Sequence, residues 1–358
     1  MKYDIDKNSN QPAYLQLYQL IREDIVKGNL PYGSKLPSKR ITAEETGLSL
    51  ITVEHAFHIL ADEGYIETRE RSGNYVSYRS DRFFAVNEQP LINEEIRQSV
   101  NAEETFPYSV YARTMRRVIS EAGEAIMAKS DPAGSLIVRN AISRYLARGR
   151  GINVSADQIV LCAGSEYGYG MIINTLGRSR IYGLEDPSYE KIQKIYRANG
   201  VRLDFLKLGK HGILTSELER TPASVLHVTP YNSWPSGITA NASKRREYID
   251  WAKEKQAVII EDDYDSEFSS LEKTEDTLFS LEPERSVIYM NTFSRTISRS
   301  IRMSYIVIPN ELLSEFKEKT GFYSCSVALV EQLTIAELLN SGEFERHINR
   351  IRRKRRQK

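Results

Sequence analysis

Hydrophobic positions recur at helical spacing in the first part of this chain and condense further on into short apolar runs. Over residues 12–27, Tyr14, Leu17, Tyr18, Ile21 and Ile25 share one face, which predicts a helix stopped by Gly28 and the turn-rich segment GNLPYGSKLP. Ser38 can cap a short helix reaching about Gly47, and Ser49 can cap the next, because a serine oxygen accepts from an orphan amide of the first turn. In that next helix Val53, Ala56, Phe57 and Leu60 form a stripe for burial and leave Leu50, Thr52 and His55 facing elsewhere. Gly64 ends it. Residues 65–69 and 75–78 are aromatic and β-branched, and residues 70–74 (Glu-Arg-Ser-Gly-Asn) join them as a hairpin.

The pattern then weakens. Residues 80–102 are mixed and polar, without a sustained period, and read as a linker between a head at 1–79 and a body at 103–358. Helices are expected over 109–129 and 135–148. Apolar β-rich runs follow at 158–162, 180–184, 201–206, 224–229, 257–261, 286–290 and 305–308, alternating with helical stretches. Strands spaced by helices predict an α/β body with a mostly parallel sheet. The closing run HINRIRRKRRQK reads as a solvated basic helix face.

Composition adds bounds. The 358 residues suffice for two or three domains, and with 41% hydrophobic and 27% charged residues the chain is ordinary for a soluble protein. A net charge of +1 gives the whole chain no field directed at a polyanion or a membrane. Cys162 and Cys325 lack metal-ligand spacing, and there is neither a signal peptide nor an apolar run of membrane length, so a reducing cytoplasm is expected.

Helix, helix, helix, hairpin, with LPSKR ahead of the last helix, resembles the GntR-type winged-helix domain over residues 8–78. A helix-turn-helix sets the N-terminal residues of its second helix in the DNA major groove. The resemblance puts Ser38, Arg40, Ser49, Thr52 and Gly73 at positions where that family touches phosphates or bases; outward-facing Leu50 and His55, with Arg71 and Asn74 of the hairpin turn, complete the candidate DNA contacts. Where the family usually carries Arg after the capping Ser, this chain has Leu50, so its operator differs from those read by arginine to guanine. Residues 1–80 hold ten Lys and Arg against eleven Asp and Glu, so the case for DNA rests on the motif, with Lys35, Lys39, Arg40, Arg69 and Arg71 as a potential local cluster. A protein-docking head is the alternative.

In an open α/β sheet, ligands bind beyond the carboxyl ends of strands. Three strand ends here carry chemistry. Cys162 runs into AGSEYGYG, where Ser165 and Glu166 open a helix whose first amides suit a phosphate. The run 257–261 leads to Asp262-Asp263-Tyr264, a carboxylate able to pair with a protonated ring nitrogen. The run 286–290 leads to NTFSRTISRSIR, where Ser294 and Arg302 offer a hydroxyl and a bidentate guanidinium.

The motifs SDPAGSLIVRNAISRYL, EDPSY, TPYNSWPSG, EDDYDSEF and TFSRTISRSIR, in this order, resemble the fold type I aminotransferases, which bind pyridoxal phosphate (PLP). Their coupling to a GntR-type head resembles the MocR regulators. The resemblance implies cofactor positions at Ser165, Glu166, Tyr189, Asp262, Tyr264, Ser294 and Arg302, a homodimer, a double-stranded DNA operator and a small-molecule effector. It puts Arg295 where the family has the Schiff-base lysine, and Asn232-Ser233 where the family usually has His-Gln. Arginine stays protonated and is a poor nucleophile, so PLP, if held, is expected to be held non-covalently and transamination to be lost. The resemblance implies a body that continues past the basic run into a small C-terminal domain, which is expected to be missing or truncated here. The expected protein is a sequence-specific transcription regulator with a degenerate sensor; the alternatives are a PLP enzyme with a docking module and a DNA-binding dimer whose body is a scaffold.

Overall fold

A computed structural model describes residues 3–6, 9, 11–69, 72–78, 106–269, 275–283 and 286–357. The predicted linker at 80–102 and the candidate contact Arg71 lie outside the described residues. The chain divides into two units, Met1–Val100 and Asn101–Lys358.

The first unit follows the predicted order. Helices α1 (Ala13–Val26), α2 (Lys39–Thr46) and α3 (Leu50–Asp62) are followed by strands β1 (Ile66–Arg69) and β2 (Gly73–Val76). Both predicted serine caps are present: Ser38 Oγ accepts from the Ile41 amide at 3.3 Å and Ser49 Oγ from the Thr52 amide at 3.1 Å. Gly47 closes α2 in the left-handed region, which only a residue without a Cβ enters at no cost. The buried face of α3 is Val53, Ala56, Phe57 and Leu60, and that of α1 is Leu17, Tyr18, Ile21 and Ile25. They meet in one small core with Leu36, Ile66 and Val76.

The hairpin is tighter than its sequence suggests. Arg69 pairs with Gly73 and Thr68 with Asn74, so Gly73 and Asn74 belong to β2 and not to the turn. Residues 33–36 also bond to β2, the Leu36 amide donating to Asn74 O and the Val76 amide to Ser34 O, each at 2.9 Å. The segment entering α2 thereby ties the wing to the helices.

In the second unit all seven predicted apolar runs are strands. Ile159–Cys162 (β3), Ile181–Asp186 (β4), Arg202–Gly209 (β5), Val225–Val228 (β7), Val258–Asp262 (β8), Val287–Thr292 (β9) and Ser304–Val307 (β10) form one sheet with the short Gly212–Ile213 (β6). The order is β3-β10-β9-β8-β7-β4-β5-β6. Strands β5, β4, β7, β8 and β9 are mutually parallel, and β10 runs antiparallel to both of its neighbours.

Alternate residues of each strand feed opposite cores, as the pleat requires. Ile159, Leu161, Ile259, Tyr289, Tyr305 and Val307 join the core beneath helices Leu136–Arg150, Ala242–Lys255 and Leu329–Asn340. Val160, Cys162, Ile260, Ile288, Met290 and Ile306 join the one beneath Ser165–Leu176, Glu190–Ala198 and Asn310–Thr320. A parallel sheet covered on both faces leaves its strand ends as the outlet for polar side chains. The terminal helix Glu343–Gln357 departs from expectation, because part of its basic run turns inward: Arg352 donates to Ser269 O at 3.0 Å and Arg355 to Phe268 O at 3.2 Å.

Phe57 lies at the centre of the first unit's core, so Phe57→Ala is expected to cost about 3–5 kcal/mol. Amide exchange should show α1–α3 deprotected in this variant while the amides of β7, β8 and β9 keep their wild-type protection.

Candidate functional site

The predicted DNA contacts that lie on helices sit at the starts of α2 and α3. Ser38, Arg40, Ser49, Leu50 and His55 are exposed and Thr52 is half-exposed. Several polar side chains here have protein partners. The Ser49 and Thr52 hydroxyls lie 2.7 Å apart, Lys39 pairs with Glu54 at 3.3 Å, and the His55 ring stacks on Tyr14 at 4.1 Å between centroids. His55 thus leans back on α1. On the wing, Gly73 has φ +117°, and a Cβ there would press against the Lys35 side chain. The Arg69 guanidinium lies over the Tyr75 ring at 4.5 Å, and Lys35 over the same ring at 5.8 Å.

Asn74 departs from the expected DNA contact. It is buried, and its side-chain oxygen accepts from Thr68 Oγ1 at 2.8 Å across the hairpin, which leaves it a structural residue. Ile51, passed over in the sequence, is the most exposed large hydrophobic residue of α3 at 79%. Helical phase could have found it, since it lies opposite the Val53-Ala56-Phe57-Leu60 stripe.

The strand-end residues of the second unit follow β3, β8 and β9, and Glu166, Asp262, Tyr264, Ser294 and Arg302 each have a protein partner. Gly164, at φ +85°, opens the helix Ser165–Leu176, and a Cβ on it would collide with the Arg302 guanidinium. The missing side chain is what lets that guanidinium lie against the helix start, beside first-turn amides that no helical carbonyl can reach. Arg302 pairs with Glu166 at 3.3 Å, and Lys191 pairs with the same carboxylate. Lys191 first, then Arg302, holds the Glu166 carboxyl below its ordinary range. Ser294 Oγ donates to Ile301 O at 2.5 Å. Tyr189, ahead of helix Glu190–Ala198, is exposed.

Asp262 closes β8 and is buried. Its Oδ2 accepts from the Tyr169 hydroxyl and lies 3.7 Å from His227 Nε2, a buried nitrogen without a hydrogen-bond partner. Neither Tyr169 nor His227 stood out in the sequence, because nothing local links them to a strand end about 90 residues or 35 residues away. Tyr264 donates its hydroxyl to Asn232 O at 2.6 Å, and burial raises its phenol to about 12.

Arg295 sits on the short helix Phe293–Thr296 directly after β9. Its Nε donates to Asp265 Oδ1 at 2.8 Å, and its guanidinium lies 5.3 Å from the centre of the Phe268 ring. Asn232 Nδ2 donates to Asp265 Oδ2 at 2.7 Å, and Arg355 approaches the same oxygen at 3.7 Å. Buried Asp265 therefore joins three separate stretches of the chain. Two residues earlier in the chain, Asp263 forms a fully enclosed pair with Arg150 at 2.7 Å, with Tyr289 also donating to Asp263.

Among the described residues no group of His, Cys, Asp and Glu has metal-site geometry, and no helix is long and apolar enough to cross a membrane.

Comparison with known proteins is consistent with both units. The family described as "Bacterial regulatory proteins, gntR family" matches residues 13–76. Across nearly the full length, the chain is 32% identical to the uncharacterized HTH-type transcriptional regulator YdeL of Bacillus subtilis, covering 98% of this chain and 78% of that one. The chain belongs to the MocR-type regulators of the GntR family. It is 28% identical to the probable rhizopine catabolism regulatory protein MocR of Rhizobium meliloti, over 98% of this chain and 76% of that one. The α/β unit has the fold of the aminotransferases. An archaeal alanine:glyoxylate aminotransferase superimposes with a TM-score of 0.63 at 19% identity, over 71% of this chain and 67% of that one.

Enclosed carboxyls, among them Glu261 and Glu185, give this MocR-type regulator a pH signature. Burial lifts Glu261 to about 8, although it accepts from the Leu278 and Phe279 amides, and lifts Glu185 to about 7. From an ordinary value of 4.5, the folded unit therefore keeps protons that the unfolded chain releases. Stability is full below that ordinary value and declines as pH rises through about 7 and 8. Urea midpoints are expected to fall from about pH 5 to about pH 9, and Glu261→Gln should flatten the upper part of that fall.

Proposed function

We propose that this protein regulates transcription by binding an operator through α3 and the wing, and that its α/β unit holds a small anionic ligand without catalysing transamination. The observation that carries the first half is the Ser49-capped helix, whose core face is sealed against α1 while its opposite face is open at its N-terminal end. That is the presentation a groove-reading helix requires. Exposed Ser38 and Arg40 at the start of α2 are suited to phosphate contacts, which position a protein on DNA without reading sequence. We take the protein to act in the cytoplasm as a homodimer, whose two heads would match a repeated half-site.

The second half rests on Arg295. A permanently protonated guanidinium bound to Asp265 offers no neutral amine for an imine. The remaining polar groups suit a phosphorylated pyridine such as pyridoxal phosphate: the Asp262 carboxylate to accept from a protonated ring nitrogen, Tyr264 for a ring hydroxyl, and Ser294, Arg302 and the first-turn amides of Ser165 and Glu166 to donate to a phosphate. Tyr189 is suited to the ring face. When bound, that cofactor supplies an electron sink for amino-acid chemistry. Here the chain's own residues would bind and orient it, with Asp262 held in place by Tyr169. Glu166 would have to release Arg302, and Ser294 would have to turn from Ile301 O. Those existing partners favour a second reading, in which the unit is a scaffold only.

Band shifts at stated salt test the first half. The regulator should retard its upstream region, with affinity falling steeply as salt rises, and Arg40→Ala should weaken binding about equally on all duplexes and shallow the salt slope by about one. No retardation at low salt would sink the reading. For the second half, the wild-type chain with pyridoxal phosphate and borohydride should give no mass adduct, whereas Arg295→Lys should gain one. An adduct on the wild-type chain would mean that another lysine carries the cofactor.

A further inference from the structure

The operator-reading end of α3 has an unusual chemical character. Ser49 and Thr52 face one another, Glu54 is paired with Lys39, and His55 is stacked on Tyr14. Leu50 and Ile51 remain, 41% and 79% exposed. Two adjacent aliphatic side chains at the tip of a groove-entering helix have one apolar counterpart on the major-groove floor, the C5-methyl group of thymine. Neither can donate to guanine or pair with adenine.

We propose that Ile51, with Leu50 beside it, reads thymine methyl groups, so that operator half-sites are selected by apolar contact at the position facing the start of α3. This rests on the reading of α3 as a DNA-reading helix. Ser49 supports the contact by fixing the first turn through its bond from the Thr52 amide, which holds the Ile51 backbone in one orientation. The methyl-reading role requires no charge, in keeping with a head whose first 80 residues hold ten basic against eleven acidic side chains.

The test uses the full chain and duplexes enriched from a random-sequence pool. Enriched half-sites should share one or two thymines. Replacing each with deoxyuridine removes the methyl and nothing else, and should weaken binding about fourfold per methyl, the factor expected from burying one such group. Ile51→Ala should weaken binding to the thymine duplex and leave the deoxyuridine duplex nearly unchanged, so that the ratio approaches one. Because Ile51 is exposed, the variant should keep the wild-type circular dichroism. Equal wild-type affinity for the two duplexes would overturn the inference while leaving DNA binding intact. Discrimination that survives Ile51→Ala and is lost only in Leu50→Ala would remove Ile51 as the reader. Failure to enrich any sequence would instead remove the DNA-reading function on which the inference stands.

Discussion

Burial of both faces of the central sheet is the constraint on which the second unit depends. Ile259 and Ile260 are neighbours in sequence, yet they enter different cores because the pleat sends them to opposite faces. Each core needs its own cover of helices, which fixes the alternation of strand and helix along the chain. Polar side chains are few on those faces, and one that is there, Glu261, accepts from the Leu278 and Phe279 amides. Polar side chains collect instead at the carboxyl ends, where Asp262, Asp263, Ser294 and Arg295 all lie. The candidate ligand site is in this sense a consequence of how the sheet is buried.

The same constraint explains why the strand-end cluster is so fully paired. A charge taken out of water is costly unless it is matched, and the cluster matches its buried carboxylates locally, Asp263 with Arg150 and Asp265 with Arg295, while the Arg302–Glu166 pair stays in contact with solvent. Asp265 shows the consequence most directly. Asn232, Arg295 and Arg355 converge on one buried carboxylate, so the segment after β7, the turn after β9 and the terminal helix are held to the same point. An Arg at position 295 fills its setting as a structural ion-pair partner, a role that a guanidinium's fixed fork performs well.

The first unit obeys a simpler rule. Its small core leaves α3 only one face to bury, and the serine cap sets where that helix begins, so the identity of the outward residues is free to serve recognition. The wing is secured from behind by residues 33–36, which bond to β2. Asn74 belongs to that support and not to the exposed surface.

Helical spacing in the sequence was enough to determine the three head helices, their two serine caps and the buried stripe of α3, because period and capping are local properties of the chain. The seven apolar runs of the body were legible for the same reason. Strand order, the reversal of β10 and the short β6 were not, since pairing joins residues far apart: Tyr305 faces Leu161 across a ladder that no local pattern records. The same holds at the sites. Asp262 could be singled out as a carboxylate after an apolar run, but its Tyr169 and His227 neighbours come from other elements. Gly73 and Asn74 read as a turn, and only the register with Arg69 and Thr68 moved them into a strand and turned Asn74 inward. Arg295 was visible as a residue type that cannot form an imine. That it is held by Asp265, over the ring of Phe268, was decided by tertiary structure, because a buried carboxylate is satisfied by whichever donors the packed helices and strands bring within reach.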